Sequence, residues 1–158
     1  MDNSNSSDTF RLSMLISRET VHAKVQVHDW EEATELVGKL LESAGKIKSD
    51  YITAMKRVLK EMGPYAVIAP GIVLLHARPE DGVIEPCLGL ITLIDPVLFG
   101  HSENDPVDLV FALGAVDKQA HISALQQLAE MLGDSVKLQE IRSALNDNSL
   151  LNILIGEV

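Results

Sequence analysis

Between Val21 and Val27 apolar and polar residues alternate, Val21, Ala23, Val25 and Val27 on one side and His22, Lys24 and Gln26 on the other. This is the period-two pattern of a half-buried strand. At Asp29 the period changes. Trp30, Ala33, Leu36, Val37, Leu40 and Leu41 recur at three- and four-residue spacing, Asp29 stands at the N-cap with Glu32 as its capping-box partner, and Gly45 supplies the stop. A second helix is predicted from Ser49 or Asp50, carrying Tyr51, Ile52, Met55, Val58 and Leu59 until Gly63-Pro64 ends it.

Prolines and glycines crowd the stretch from Gly63 to Pro96, with short apolar runs between them. Strands are predicted at about 66–68, 72–76, 87–94 and 108–116, separated by Pro70-Gly71, by Arg78-Pro79-Glu80-Asp81-Gly82 and by the Gly100 to Pro106 loop. The last two are apolar almost throughout, as central strands covered on both faces are. The helical period returns after Asp117, with His121, Leu125, Leu128, Ala129 and Leu132 on one stripe, then a helix over Val136, Leu138, Ile141 and Leu145 and a short element from Leu150. Helices, strands and helices around one sheet make an α/β layer architecture in a single domain. No internal repeat is present, and residues 1–9, rich in Ser, Asn and Asp, read as a disordered tail before a domain over 10–158.

Composition mostly excludes. The 158 residues carry 13 Lys+Arg against 23 Asp+Glu, a net charge of −10, which disfavours nucleic acid and anionic membrane surfaces as partners. One cysteine, Cys87, leaves no internal disulfide and no cysteine-cluster zinc site. The start of the chain has neither the basic residues nor the apolar stretch of a signal peptide, and no apolar run reaches the roughly 18 residues of a membrane span. A cytoplasmic location is expected, with no direct membrane insertion.

The five histidines differ in context. His22 and His28 lie on the polar side of the first strand and His101 in a polar loop, all three read as solvated. His76 closes the run Ile72-Val73-Leu74-Leu75 just before Ala77-Arg78-Pro79, and His121 follows the strand that ends near Asp117, a natural N-cap. Alone, each has a plain reading, His76 as a strand-capping side chain and His121 as a satisfied core residue. Together they lie at the carboxyl ends of two strands, where open α/β sheets bind ligands. A helix N-terminus there suits a phosphoryl group, and a neutral imidazole is a competent nucleophile near pH 7. The pair favours covalent phosphoryl chemistry. A hydrolytic zinc site would want a motif such as His-Glu-x-x-His, and direct nucleotide use a P-loop or Gly-x-Gly-x-x-Gly; none occurs.

The segments Gly63-Pro64-Tyr65-Ala66-Val67-Ile68-Ala69-Pro70-Gly71 and Leu74-Leu75-His76-Ala77-Arg78-Pro79-Glu80-Asp81-Gly82-Val83 resemble the active-site region of enzyme IIA domains of the bacterial sugar phosphotransferase system. The likeness is to the mannitol/fructose superfamily and most to its ascorbate (L-ascorbate or pentitol) branch. Asn104-Asp105-Pro106-Val107-Asp108, the strand to Val116-Asp117 and His121 match the same branch, so the resemblance spans about 21–145. It implies a central mixed sheet flanked by helices and a phosphohistidine relay without cofactor or metal. In that relay His76 takes a phosphoryl group from the carrier HPr and passes it to a cysteine of an enzyme IIB, which serves a membrane enzyme IIC. His121 corresponds to the second histidine, which steadies the phosphoryl group.

Two positions depart from the pattern. The family usually has proline before the active histidine, where this chain has Leu75, leaving the rest of the fold to fix His76. Mannitol-type members use an arginine from the preceding helix; the matching position is Val58, beside Arg57, so that role is not carried over. Arg78 is the local candidate for an electrostatic role, and an exposed turn arginine is its other reading. Cys87, without a basic neighbour, reads as an inert core thiol. The alternative function, given weight by Leu75, is a regulatory module whose phosphorylation state controls a binding partner.

Overall fold

The computed structural model describes residues 11–156, so the tail read at 1–9 lies outside the described residues. Five strands form one mixed sheet: β1 (Val21–Val25), β2 (Val67–Ala69), β3 (Ile72–Leu75), β4 (Cys87–Val97) and β5 (Val107–Gly114), in the order β1-β4-β5-β3-β2. β4 and β5 pair antiparallel as a hairpin, β2 and β3 likewise, while β1 runs parallel to β4 and β3 parallel to β5. Helices α1 (Trp30–Ser43) and α2 (Ser49–Met62) cover one face of this single α/β domain, and α3 (Lys118–Leu132), α4 (Ser135–Ser143) and α5 (Asp147–Ile155) the other.

Burial on both faces explains the apolar runs. Val110 and Ala112 of β5 pack with Val37, Leu41, Ile52 and Met55 on the α1/α2 side. Their neighbours Leu109, Phe111 and Leu113 pack with Ala124, Leu128, Ile141 and Leu150 on the other. The close fit leaves no room for a side chain at Gly38, whose Cβ would fall 2.6 Å from Ile52.

The expected elements are present with shifted ends. β1 stops at Val25, because Lys24 takes a positive φ of 57° and the register with β4 slips between His22 and Val25. Lys24 is held there by its N–H donating to Thr92 Oγ1 at 2.8 Å and its Nζ to the Arg142 carbonyl at 2.8 Å. Val27 stays buried, which is why the alternation outruns the strand. Ala66 closes a 3-10 turn that Pro64 starts, so β2 begins one residue later than predicted. β4 extends to Val97, paired with Val107, beyond the predicted end at Ile94. Asp29 accepts the Glu32 N–H as predicted, but the Glu32 carboxylate reaches past the N-cap to the His28 N–H at 2.6 Å.

Candidate active site

β3 and β5 are parallel neighbours, so their carboxyl ends open at the same edge of the sheet. His76 is the first residue past β3. β5 leads through Ala115, Val116 and Asp117 into α3, and Asp117 caps that helix by accepting the Ala120 N–H at 2.8 Å. His121 follows in the first turn, its N–H on the Asp117 carbonyl. The two imidazoles sit with ring centroids 5.6 Å apart and planes at 48°. They line one cleft of about 550 Å³ with Arg57, Val58, Met62, Arg78, Asp117 and Lys118.

His76 Nδ1 lies 3.0 Å from the Leu74 carbonyl oxygen. A carbonyl only accepts, so Nδ1 carries the proton and, in the neutral ring, Nε2 keeps the lone pair. The strand's own backbone thus selects which ring nitrogen is left open to the cleft. His121 has its pKa lowered below the usual 6.5, first by burial and then by the nearby His76. A neutral His121 offers one donor to an anionic group, and the start of α3 adds backbone N–H groups and the positive end of its dipole. Among the described residues no three His, Cys, Asp or Glu side chains are grouped to hold a metal ion.

The chain as a whole matches a family. The model for EIIA 2 of the phosphoenolpyruvate-dependent sugar phosphotransferase system fits residues 14–156. The chain belongs to that family. It is 30% identical to the ascorbate-specific PTS system EIIA component of Salmonella typhi over 141 residues, 89% of this chain and 92% of the relative. The solution structure of the mannitol-specific cryptic phosphotransferase enzyme IIA of Escherichia coli superposes with a TM-score of 0.83 at 31% identity, over 93% of this chain and 99% of that one. Enzyme IIA of the E. coli mannitol system, solved in complex with phosphorylated enzyme IIB, gives a TM-score of 0.78 over 90% of this chain and 98% of that one. At 22% identity that last likeness shows the fold alone. This chain is an EIIA phosphoryl carrier, a phosphotransferase of the kind that works through a phosphohistidine.

Within this EIIA domain the structure brings together residues that the sequence handled separately. Leu75 is 1% exposed and stands in the β3–β5 ladder opposite Ala112. The sheet thus fixes the residue before His76 where most of the family has a proline. Arg57, beside the Val58 that stands at the family's arginine position, lines the cleft together with it. Its guanidinium lies 3.7 Å from Asp81, whose other oxygen accepts the Arg78 N–H at 3.0 Å. Arg78 also lines the cleft, with its side chain 80% exposed and 3.6 Å from Glu80. Lys118, at the first position of α3, is a cation where the helix dipole favours an acid, and it faces the same cleft. That mismatch is the sequence signal that marks Lys118.

The other candidates lie elsewhere. Cys87 is fully buried at the start of β4, and burial pushes its thiol up to about 12. His28 is exposed and bonds Glu32, as a surface residue does. His22 is half-exposed, but its Nδ1 meets Asp147 at 3.0 Å, tying β1 to α5. His101 is a turn organiser instead of a merely solvated side chain, because its Nδ1 accepts the N–H groups of Glu103 and Asn104 at 3.1 and 3.0 Å. That bond pattern depends on a turn geometry that spacing alone does not reveal.

Proposed function

We propose that His76 Nε2 is the phosphoryl acceptor, that phospho-HPr is the donor, and that a cysteine of an ascorbate-type or related pentitol-type enzyme IIB is the next station. The observation that carries this reading is the Nδ1 contact to Leu74, which puts the one proton of a neutral ring on Nδ1 and the lone pair on Nε2, beside His121 in the cleft. In the first step the Nε2 lone pair forms an N–P bond while the donor's N–P bond breaks, its electron pair returning to the donor imidazole. In the second, a cysteine thiolate attacks phosphorus, an S–P bond forms, and the pair of the breaking N–P bond returns to Nε2. Both steps ask the protein for in-line positioning and for stabilisation of the negative charge on the equatorial oxygens. A neutral His121 offers an N–H donor for those oxygens, and the start of α3, Arg57, Arg78 and Lys118 offer positive charge.

The specificity rests on the ascorbate-specific relative and on the match of both sequence segments to that branch. The partner reading takes support from the mannitol enzyme IIA, which was solved bound to its phosphorylated enzyme IIB. Leu75, seated in the sheet, gives the regulatory alternative no support of its own. The test is incubation with phosphoenolpyruvate, enzyme I and HPr, followed by offering the charged protein to ascorbate-type and mannitol-type enzyme IIB. Transfer at least tenfold faster to the ascorbate-type partner is expected. Equal transfer to both removes the specificity reading, and an uncharged wild type removes the carrier role.

A further inference from the structure

The parallel ladder of β3 on β5 pairs Ile72 with Leu109, Val73 with Val110, Leu74 with Phe111 and Leu75 with Ala112. Continued by one residue, the register sets His76 opposite Leu113, and the bond that closes this rung runs from the Ala77 N–H to the Leu113 carbonyl. The chain does something else. The Ala77 N–H donates to Tyr51 Oη at 2.9 Å, and Tyr51 Oη lies 2.7 Å from the Leu113 carbonyl oxygen. The Ala77 carbonyl is a second, more distant acceptor at 3.2 Å. With one proton to give, the hydroxyl completes the relay by donating to Leu113.

We propose that Tyr51 is a positioning residue for the phosphoryl transfer: its hydroxyl is inserted into the rung beside His76 and sets the gap between the two imidazoles. The inference rests on the carrier reading of His76. One oxygen atom in the rung holds the ends of β3 and β5 further apart than a direct N–H to carbonyl bond does. The parting occurs where His76 leaves β3 and where β5 leads on, through Asp117, to His121. The ring separation of 5.6 Å is set across that parting, and a phosphoryl group on Nε2 has to fit within it.

Tyr51 is built to hold such a position. It is fully buried, with its ring in the core between α2 and the sheet. Gly82 packs on its backbone, where a Cβ would come within 3.1 Å of the Tyr51 nitrogen. Lys48, three residues earlier in the chain, donates its N–H to the Gly82 carbonyl at 2.8 Å. The turn after His76 is therefore anchored on the same first turn of α2 that carries Tyr51. Burial also raises the phenol pKa, so the hydroxyl keeps the proton that the relay needs. Phenylalanine fills the same volume and can neither accept from Ala77 nor donate to Leu113.

The test is Tyr51→Phe in the full chain, charged from phospho-HPr under saturating and limiting conditions. The expected result is a kcat about tenfold lower with KM for phospho-HPr unchanged, because a small displacement at the reacting atom slows the step without touching the docking surface. Wild-type kcat in the folded variant, or a change confined to KM, overturns the proposal. Where the phenylalanine variant does not fold, 3,5-difluorotyrosine at 51 in a Tyr65→Phe background decides, since it keeps the hydroxyl and weakens it as an acceptor. Faster amide exchange at Ala77 and a kcat about threefold lower are then expected, and unchanged values of both overturn the proposal. The wild-type reaction run alongside keeps the two readings separate. An uncharged wild type removes the carrier role of His76, whereas equal charging of wild type and Tyr51→Phe removes the role of Tyr51 alone.

Discussion

One hydrogen bond, from His76 Nδ1 to the Leu74 carbonyl, decides which nitrogen of a neutral ring keeps its lone pair, and a lowered pKa favours the neutral form of its neighbour His121. The lowered value has a consequence for stability. A histidine whose folded pKa lies below its unfolded one binds fewer protons in the native state, so its contribution is full above about pH 6.5 and is lost as pH falls through the folded pKa. His121→Gln is expected to lose less stability between pH 7 and pH 5 than wild type does, as read from urea midpoints. Parallel curves for the two proteins contradict the assignment. The same variant is expected to transfer its phosphoryl group more slowly, checked by quenched-flow measurement. His76 and His121 were legible in the sequence because each sits where a strand pattern ends. Arg57 was not, because helical spacing places neighbours 57 and 58 on nearby faces without saying that the cleft takes both. Tyr51 read only as an apolar position of the second helix; its hydroxyl partners are backbone groups 26 and 62 residues away.

At the level of elements, the site depends on where β3 and β5 stop and on what starts after them. The Asp117 cap orients the first turn of α3 that presents His121. Asp117→Ala is expected to cost about 0.5–2 kcal/mol of stability, seen as a lower urea midpoint at unchanged slope. At the opposite end of β3, Gly71 takes a φ of 78°, and a Cβ there would lie 2.6 Å from Arg142 Nη2 and 2.8 Å from Asp108 Oδ1. Arg142 binds Asp108 at 2.9 and 3.0 Å and the Pro70 carbonyl at 3.2 Å, a clamp joining α4 to the start of β3 and β5. Gly71→Ala is expected to destabilise by more than about 1 kcal/mol, measured by thermal or urea unfolding. Periodicity located all five strands and the three long helices, since burial on one or two faces writes itself into the spacing of apolar residues. It missed the early end of β1, because the kink at Lys24 is made by Thr92 and Arg142, both distant in sequence.

Over the whole molecule, a net charge of −10 surrounds the cleft in which phosphoryl transfer is proposed. Arg57, Arg78 and Lys118 line that cleft beside the acids Glu61, Asp81 and Asp117, so its side chains balance formally and the start of α3 adds the positive end of its dipole. The lone thiol plays no part in this. Cys87 is fully buried with its thiol pushed up to about 12, so the native protein is expected to be inert to a disulfide reagent at pH 8 and to titrate one thiol per chain in guanidinium. Rapid reaction of the native protein contradicts that packing. The proposed relay turns on one atom, His76 Nε2. Charging the ¹⁵N-labelled protein with phosphoenolpyruvate, enzyme I and HPr, and reading its histidine rings by long-range ¹H–¹⁵N NMR, tests that atom directly. A single acid-labile, base-stable phosphoryl group on Nε2 of His76, absent from His76→Gln, is predicted. A phosphoryl group on Nδ1, on another histidine, or present equally in His76→Gln contradicts it.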